Sequence, residues 1–398
     1  MRTNEDLALD ISIFIPVYKE SDQLAWALKE LSSQNVSKEI FVTVDEPTDD
    51  FSEKIKQFED GNVKFIINKE RMGKANALNN TVKLSSGKIL FFLDSDVEIP
   101  NDPDYLRKIV MEMQHADVLD IKKKVSKGKS FLSKMAYYEY FTFNISAWLA
   151  SRYMHKCPAV NGAAFAIKRE TFEKVGGFHK VVAEDIDIAT RAFMADSSFA
   201  YTAEVEVKNV VYSEWGKWFR QRRRWAIGQA LWLEHWYKDL AKRFVKKPQV
   251  FLPSLFFLYP SIAIFLLSAL VPSLWMYNSL LIFSLFLSVK FNILLPVFLV
   301  SLATADLLKI LIISLSSFGL TAAVFYGFSR KLGFREMKLH ELFVYYFFYS
   351  NIWMALIIIG SIQVFVFRKK VAPNWRTEAP KSDIQQISPS SLPVPLAL

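Results

Sequence analysis

Lys88-Ile-Leu-Phe-Phe-Leu-Asp-Ser-Asp96 decides the fold. Its apolar run is too short for a helix, fits a buried strand, and ends directly in acidic residues. Three similar runs precede it: Ile11-Ser-Ile-Phe-Ile15, closed by Pro16; Ile40-Phe-Val-Thr-Val44, ending at Asp45; and Val63–Ile67. Helical patterns lie between them, one with Leu24, Leu28 and Leu31 on a single face and Ser21 as N-cap, another from Gly73 to Leu84. Strands alternating with helices predict an α/β fold built on a doubly wound, mostly parallel sheet. In such sheets ligands sit beyond the carboxyl ends of the strands, where Asp45 and Asp94 fall. Downstream, Asn161–Ile167 reads as another buried strand. Ser130 to Met154 reads as a long aromatic helix, placed either at a membrane interface or over the sheet. Ser213 to about Leu240 reads as a helix leading towards a bilayer.

The remainder of the chain changes character. Of 398 residues, those up to 249 have the composition of a water-soluble domain, whereas from Phe251 to Ser329 the only charges are Lys290, Asp306 and Lys309. Leu342 to Phe367 carries none. A bilayer crossing needs about 20 apolar residues, so residues 250–370 are expected to form an α-helical transmembrane domain of about four spans. These are Phe251–Val271, one within Ser273–Ala303, one from about Asp306 to Phe328, and one in Leu342–Phe367. That count leaves Lys290, or the Arg330, Lys331 and Arg335 cluster, at odds with the positive-inside rule, which five spans or an interfacial helix would relieve. Residues 371–398, rich in Ser and Pro towards the end, are expected to form a largely disordered cytoplasmic tail. The net charge of +9 gathers at the domain–bilayer boundary, in Arg222 to Arg224, Lys242, Arg243, Lys246, Lys247 and Arg368 to Lys370. Basic residues flanking apolar spans suit anionic headgroups and point away from nucleic acid. One cysteine, Cys157, excludes an internal disulfide and a cysteine zinc site. The polar, acidic start is no signal peptide, so the expectation is an integral protein of the cell membrane with residues 1–249 in the cytoplasm.

Four short patterns can carry chemistry. Asp94 and Asp96, two apart at a strand end, can share a divalent cation such as Mg2+ or Mn2+, although a solvated acidic turn has the same sequence. Glu184 and Asp185 follow the Gly176-Gly177-Phe178 turn and open a helix. Carboxylates there often only stabilise the helix dipole, but one of them can also serve as a base if an acceptor comes within hydrogen-bond reach. Gly73 and Lys74 sit at a helix start, a place for a phosphate. Finally, Gln221, Arg224 and Trp225 form a Gln-x-x-Arg-Trp pattern in which Arg220, Arg222, Arg223 and Arg224 crowd the same turns.

Taken in order, these pieces resemble the family 2 inverting glycosyltransferases. The matching residues are Ile15 to Glu20, Asp45, Gly73 to Asn79, Asp94 to Asp96, Asn161 to Ala163, Gly176 to Phe178, Glu184-Asp185 and Gln221 to Trp225. The last element is similar to the membrane branch that includes cellulose, chitin and hyaluronan synthases and glycolipid-forming enzymes. The resemblance implies a GT-A fold and a nucleoside-diphosphate sugar donor. By it, Pro16, Tyr18 and Glu20 line the nucleotide pocket, Asp45 contacts the base, and Lys74 approaches the nucleoside or diphosphate. Asp94 and Asp96 hold nucleotide and metal, Asp185 is the catalytic base with Glu184 supporting it, and Gln221 and Arg224 grip the diphosphate. Trp225 offers a stacking platform to the acceptor, or packs where the helix meets the bilayer.

The chain differs from the polysaccharide synthases in showing no transmembrane segment before the catalytic domain, a short membrane part and no clear gating motif after Trp225. The expected activity is therefore transfer of a sugar to a membrane lipid, lipid-linked saccharide or glycolipid. A small processive polysaccharide synthase is the nearest alternative, and an inactive membrane scaffold or transporter subunit the alternative from another class.

Overall fold

The computed structural model describes residues 10–58, 62–125, 128–246, 273–292 and 297–368. In chain order the first part of the chain consists of β1 (Ile11–Tyr18), α1 (Leu24–Ser32), β2 (Lys38–Asp45), α2 (Asp49–Ile55), β3 (Val63–Asn68), α3 (Lys74–Val82), β4 (Ile89–Leu93), β5 (Val97–Glu98) and α4 (Tyr105–Glu112). It continues with β6 (Val118–Val125), α5 (Phe131–Leu149), β7 (Ala164–Lys168), α6 (Arg169–Lys174), α7 (Glu184–Met194), β8 (Phe199–Asn209) and α8 (Trp215–Lys246).

The strands form one eight-stranded sheet in the order β3-β2-β1-β4-β7-β6-β8-β5. Alternation along the central strands sends side chains to two cores. On one face Ile11, Ile13, Ile15 and Val17 pack with α1, α2 and α4; on the other Phe14, Phe41, Phe92 and Phe165 pack with α3, α5, α6 and α7. Phe14 stacks between Phe41 and Phe92 at 5.6 and 5.2 Å. Each such buried ring contributes about 1.5–3 kcal/mol through the water it sheds.

The sheet is mixed where the sequence predicts a mostly parallel one. β1 runs parallel to β2 and β4, β2 to β3, and β6 to β8. β7, however, is antiparallel to both β4 and β6, and β5 is antiparallel to β8. An apolar run carries no direction; the segment after α5 brings the chain back to the carboxyl ends of β4 and β6, where β7 starts and runs the opposite way. Two local expectations also change. β1 continues through Pro16 to Tyr18, because its last rung with β4 is Phe14 with Phe92, and beyond that rung the missing proline N–H costs no bond to β4. The first helix starts at Leu24 without a side-chain cap, and Ser21 instead donates to the Ser95 carbonyl at 2.6 Å.

The chain builds β1, β2 and β3 outward and then crosses back to place β4 on the other side of β1. The strand order therefore reverses between β1 and β4, and the crevice at that point is where doubly wound sheets receive ligands.

α5 covers the sheet, one of the two placements open to Ser130 to Met154. Its other side receives the C-terminal helices: Phe141 meets Phe325 and Phe334, and Tyr138 stacks on Tyr345. Beyond α8 the described helices are Ser273–Phe291, Val297–Ser329 and Leu339–Phe365, the last containing a π-turn at Tyr345–Tyr349. Among the described residues two segments are long and apolar enough to cross a membrane, Leu307–Ser329 and Leu339–Phe365. The expected span Phe251–Val271 and tail 371–398 lie outside the described residues.

Candidate active site

The switch point between β1 and β4 is built by four elements. Asp94 follows β4, and its N–H donates to Ala163 O at 2.9 Å, tying the strand end to the segment before β7. Lys74 opens α3 because Gly73 takes φ 80° at the N-cap, a conformation that disfavours a side chain. Lys74 Nζ then reaches Asp94 Oδ1 at 2.7 Å and Glu184 Oε1 at 3.3 Å. Asn79, on the same helix, clamps the backbone of Phe178 with bonds of 2.7 and 2.9 Å, which holds the turn leading into α7 against α3.

Asp185 is fixed by the backbone. Its Oδ2 accepts from Gly162 N at 2.8 Å and its Oδ1 from Ile186 N at 2.9 Å. A Cβ on Gly162 would stand 2.6 Å from that Oδ2, so the close approach requires glycine. Pro16, Lys74, Asp94, Glu184 and Asp185 line one small cleft, with Phe92 and Phe178 among its apolar walls.

The charges of the cluster act on one another. Burial opposes the charge on Lys74, but Asp94 and Glu184 overcome it and hold the ammonium protonated. Burial pushes Asp96 up to about 6; Asp94 adds to the shift, while Lys74 and Arg224 oppose it. Burial likewise raises Glu184, against Lys74 and Arg224. Beneath the site Lys123 is paired with Asp120, and burial lowers its affinity for the proton against the pull of Asp120, Asp185 and Asp94.

α8 carries Arg224 to this cluster. Gly228 packs on Val182, just before α7, and Trp232 and Trp236 donate to Thr190 Oγ1 and Asp187 Oδ1 of α7 at 2.8 and 3.1 Å. Arg224, one helical turn before Gly228, thus faces the start of α7. Its charge acts on both Asp96 and Glu184, and its buried Nε has no hydrogen-bond partner among the described residues. Arg220 and Arg223 are exposed. Arg222 is buried, pairs with Glu139 of α5, and lies over the Trp225 ring at 4.3 Å. That guanidinium is stacked on Trp225, which along with Gln221 is half-buried on α8.

A second group lies at the ends of β1 and β2. Asp45 accepts from Gly73 N and Asn68 Nδ2, each at 2.9 Å. Tyr18 donates to Glu46 at 3.0 Å, and the Arg71 guanidinium sits 4.3 Å over its ring. Glu20 is exposed on the loop beyond β1. Sequence reasoning did not find the roles of Arg71, Glu46, Gly162 and the Glu139–Arg222 pair. Only Gly162 and Arg222 had a local signal, each standing inside a motif already singled out.

Asp94 and Asp96 suit a divalent cation: Asp94 lines the cleft, Asp96 stands two residues on within reach of its charge, and their mutual repulsion would fall if a cation lay between them. Among the described residues no group of three or more His, Cys, Asp or Glu could hold a metal by itself, so phosphate oxygens of a ligand would complete the shell. Cys157 has no part in this, since burial pushes its thiol up to about 12.

Comparisons with known proteins bear on the family and the fold. The family described as "Glycosyltransferase like family 2" matches residues 9–228. The probable glycosyltransferase YdaM of Bacillus subtilis is 25% identical over 364 residues, 87% of this chain and 81% of that protein. The poly-beta-1,6-N-acetyl-D-glucosamine synthase of Staphylococcus epidermidis is 25% identical over 222 residues, but these span only 55% of this chain and 54% of the synthase. Among solved structures, the mannosyltransferase PcManGT from Pyrobaculum calidifontis, in complex with GDP-Man and Mn2+, shares the fold with a TM-score of 0.53 at 18% identity, over 92% of this chain and 91% of that one.

Proposed function

The chain belongs to the glycosyltransferase-like family 2, and from that premise we propose that it transfers a hexose, with inversion, from a nucleoside-diphosphate sugar to a lipid-linked or glycolipid acceptor at the membrane. The observation that carries this reading is the cluster of Lys74, Asp94, Glu184 and Asp185 at the β1–β4 switch point, under the charge of Arg224.

The nucleoside end lies against Pro16, Tyr18, Glu20 and Asp45. Lys74 exchanges one of its two carboxylates for a donor phosphate oxygen. Arg224, with an unused donor, takes another, and Gln221 supports it from the preceding turn. Mg2+ or Mn2+, held by Asp96 and Asp94, would neutralise charge on the leaving diphosphate. Asp185 removes the proton from the acceptor hydroxyl as that oxygen attacks the anomeric carbon. The bond to the diphosphate oxygen breaks on the opposite face, so configuration inverts in a single displacement. Arg224 and Lys74 stabilise the developing charge from fixed positions, the arrangement that makes such electrostatic contributions large. Glu184 keeps Lys74 in place. Trp225 borders the acceptor side.

A lipid acceptor is supported by α8, which carries Arg224 and packs against the apolar helix Leu339–Phe365. The catalytic region is cytoplasmic in this reading and the chain integral to the cell membrane. The similarity to poly-beta-1,6-N-acetyl-D-glucosamine synthase supports a second reading, a small processive polysaccharide synthase. Incubation with a panel of nucleotide sugars, membrane lipid extract and Mg2+ or Mn2+, read by mass spectrometry, separates them. One sugar per lipid supports the first reading and a ladder the second. Equal donor turnover in the native chain, Asp96→Ala and Asp185→Asn would remove both.

A further inference from the structure

The loop between Val297–Ser329 and Leu339–Phe365 returns to the catalytic domain. Leu332 and Phe334 are buried, and Lys338 N donates to Tyr138 OH at 2.9 Å. The chain then runs alongside α8, from Trp218 Nε1 on Tyr349 OH at 3.0 Å, through Arg222 over Trp353 at 5.3 Å, to Val364 beside Ile227 and Ala230. α8 is itself pinned to α7 by Trp232 and Trp236. The last helix therefore lies along the face of the catalytic domain. It cannot stand perpendicular to a bilayer without drawing the charged length of α8 into hydrocarbon, where each charge costs several kcal/mol. Its outward side chains Met354, Ile358, Ile359, Ile362 and Phe365 are 40–52% exposed. An apolar stripe beside a cationic helix fits the plane of a membrane surface.

At the start of this helix a cavity of about 480 Å³ opens between it and the start of α5. Four cations line it, Lys129, Lys134, Arg335 and Lys338, against two carboxylates, Glu336 and Glu341. Glu341 is spent inward, accepting from Tyr138 OH at 3.1 Å. Among the described residues the four cationic side chains make no ion pair with one another's neighbours or elsewhere, an arrangement of like charges that an anion would relieve. Next to the α5 end, Phe131, Trp215 and Phe219 form an exposed ring stack with centroids 5.7 and 5.8 Å apart. Exposed aromatic rings of this kind settle at the headgroup level of a bilayer.

We propose that this cavity binds the phosphate of an anionic membrane phospholipid, at the bilayer surface along which Leu339–Phe365 lies. The site is separate from the donor cleft and does not depend on which acceptor the enzyme glycosylates.

The test uses the full chain in nanodiscs of equal parts phosphatidylcholine and phosphatidylglycerol, with native mass spectrometry reading the lipids retained. The native chain retains phosphatidylglycerol in preference to phosphatidylcholine. Lys134→Gln with Arg335→Gln lowers that preference about 30-fold, the effect of two surface charges. Lys83→Gln with Lys88→Gln, exposed lysines at the end of α3 and just before β4 that do not line the cavity, leaves it unchanged. No preference in the native chain, or equal loss in both pairs, overturns the proposal. So does complete displacement of the lipid by inorganic phosphate, which would mark a site for a soluble anion.

Discussion

Lys74 and Arg222 are both cations held against carboxylates inside the protein, and the two regions hold them to different ends. Lys74 stands at the open cleft with two carboxylates, Asp94 and Glu184, either of which can be exchanged for a ligand oxygen. Arg222 is enclosed. Its side chain is 2% exposed and that of Glu139 3%, and Tyr349 closes the group by donating to Glu139 at 2.9 Å. In the proposed reaction the first group takes up an anion; the second joins α5, α8 and the last helix. Two residues along α8, Arg224 has the access that Arg222 lacks. The four arginines thus divide into one whose charge acts on Asp96 and Glu184, one that holds the helix in place and two that face solvent.

Breaking the Glu139–Arg222 pair should produce the largest effect. Glu139→Gln leaves the Arg222 charge buried and uncompensated, and is expected to cost about 3–5 kcal/mol of stability. Urea unfolding checks it, and Glu139→Leu with Arg222→Met should recover most of the loss. Opening the cleft side should leave stability alone and act on rate. Arg224→Ala is expected to lower turnover about 100- to 1000-fold with an unchanged melting temperature, as removal of one preorganised donor does. Lys74→Met is expected to weaken donor binding about tenfold, seen as a rise in KM larger than the fall in kcat. Equal stability losses in Lys74→Met and Glu139→Gln would erase the distinction between the two pairs. Smallest of all, Trp225→Phe keeps a ring under Arg222 and should change turnover by less than about threefold, unless Trp225 also stacks on the acceptor.

The sequence exposed the parts whose signal is local. β1 to β4 are apolar runs, α7 opens on two carboxylates, and α8 follows its aromatic and cationic pattern. β6 was not legible, because Asp120 and Lys122-Lys123-Lys124 disguise it. In the structure Lys122 and Lys124 pair with Glu206 of β8 at 2.8 and 2.9 Å, and Lys123 pairs with Asp120. Glu206 lies about 80 positions from its lysines, so no local window contains that compensation, and the spacing of three between Asp120 and Lys123 matches no single strand face. β8 alternates visibly, but its role depends on β6. The cluster of Arg330, Lys331 and Arg335, awkward as a loop between spans, becomes reasonable once its backbone is seen to pack on α5, with Lys331 lying 4.1 Å over the Trp148 ring. The grouping of Lys74 with Glu184 was not readable either, since it depends on Asn79 clamping a turn 99 residues away.

The claim beneath all of this is that one diphosphate is gripped jointly by the strand-end carboxylates, through a cation, and by Arg224. Calorimetric titration of a nucleoside diphosphate with Mn2+ into the native chain, Asp96→Ala and Arg224→Ala tests it most directly. The account predicts binding that requires the cation in the native chain and weakens at least about tenfold in each variant, the worth of one charge-assisted contact. Unchanged, cation-independent affinity in both variants would contradict it.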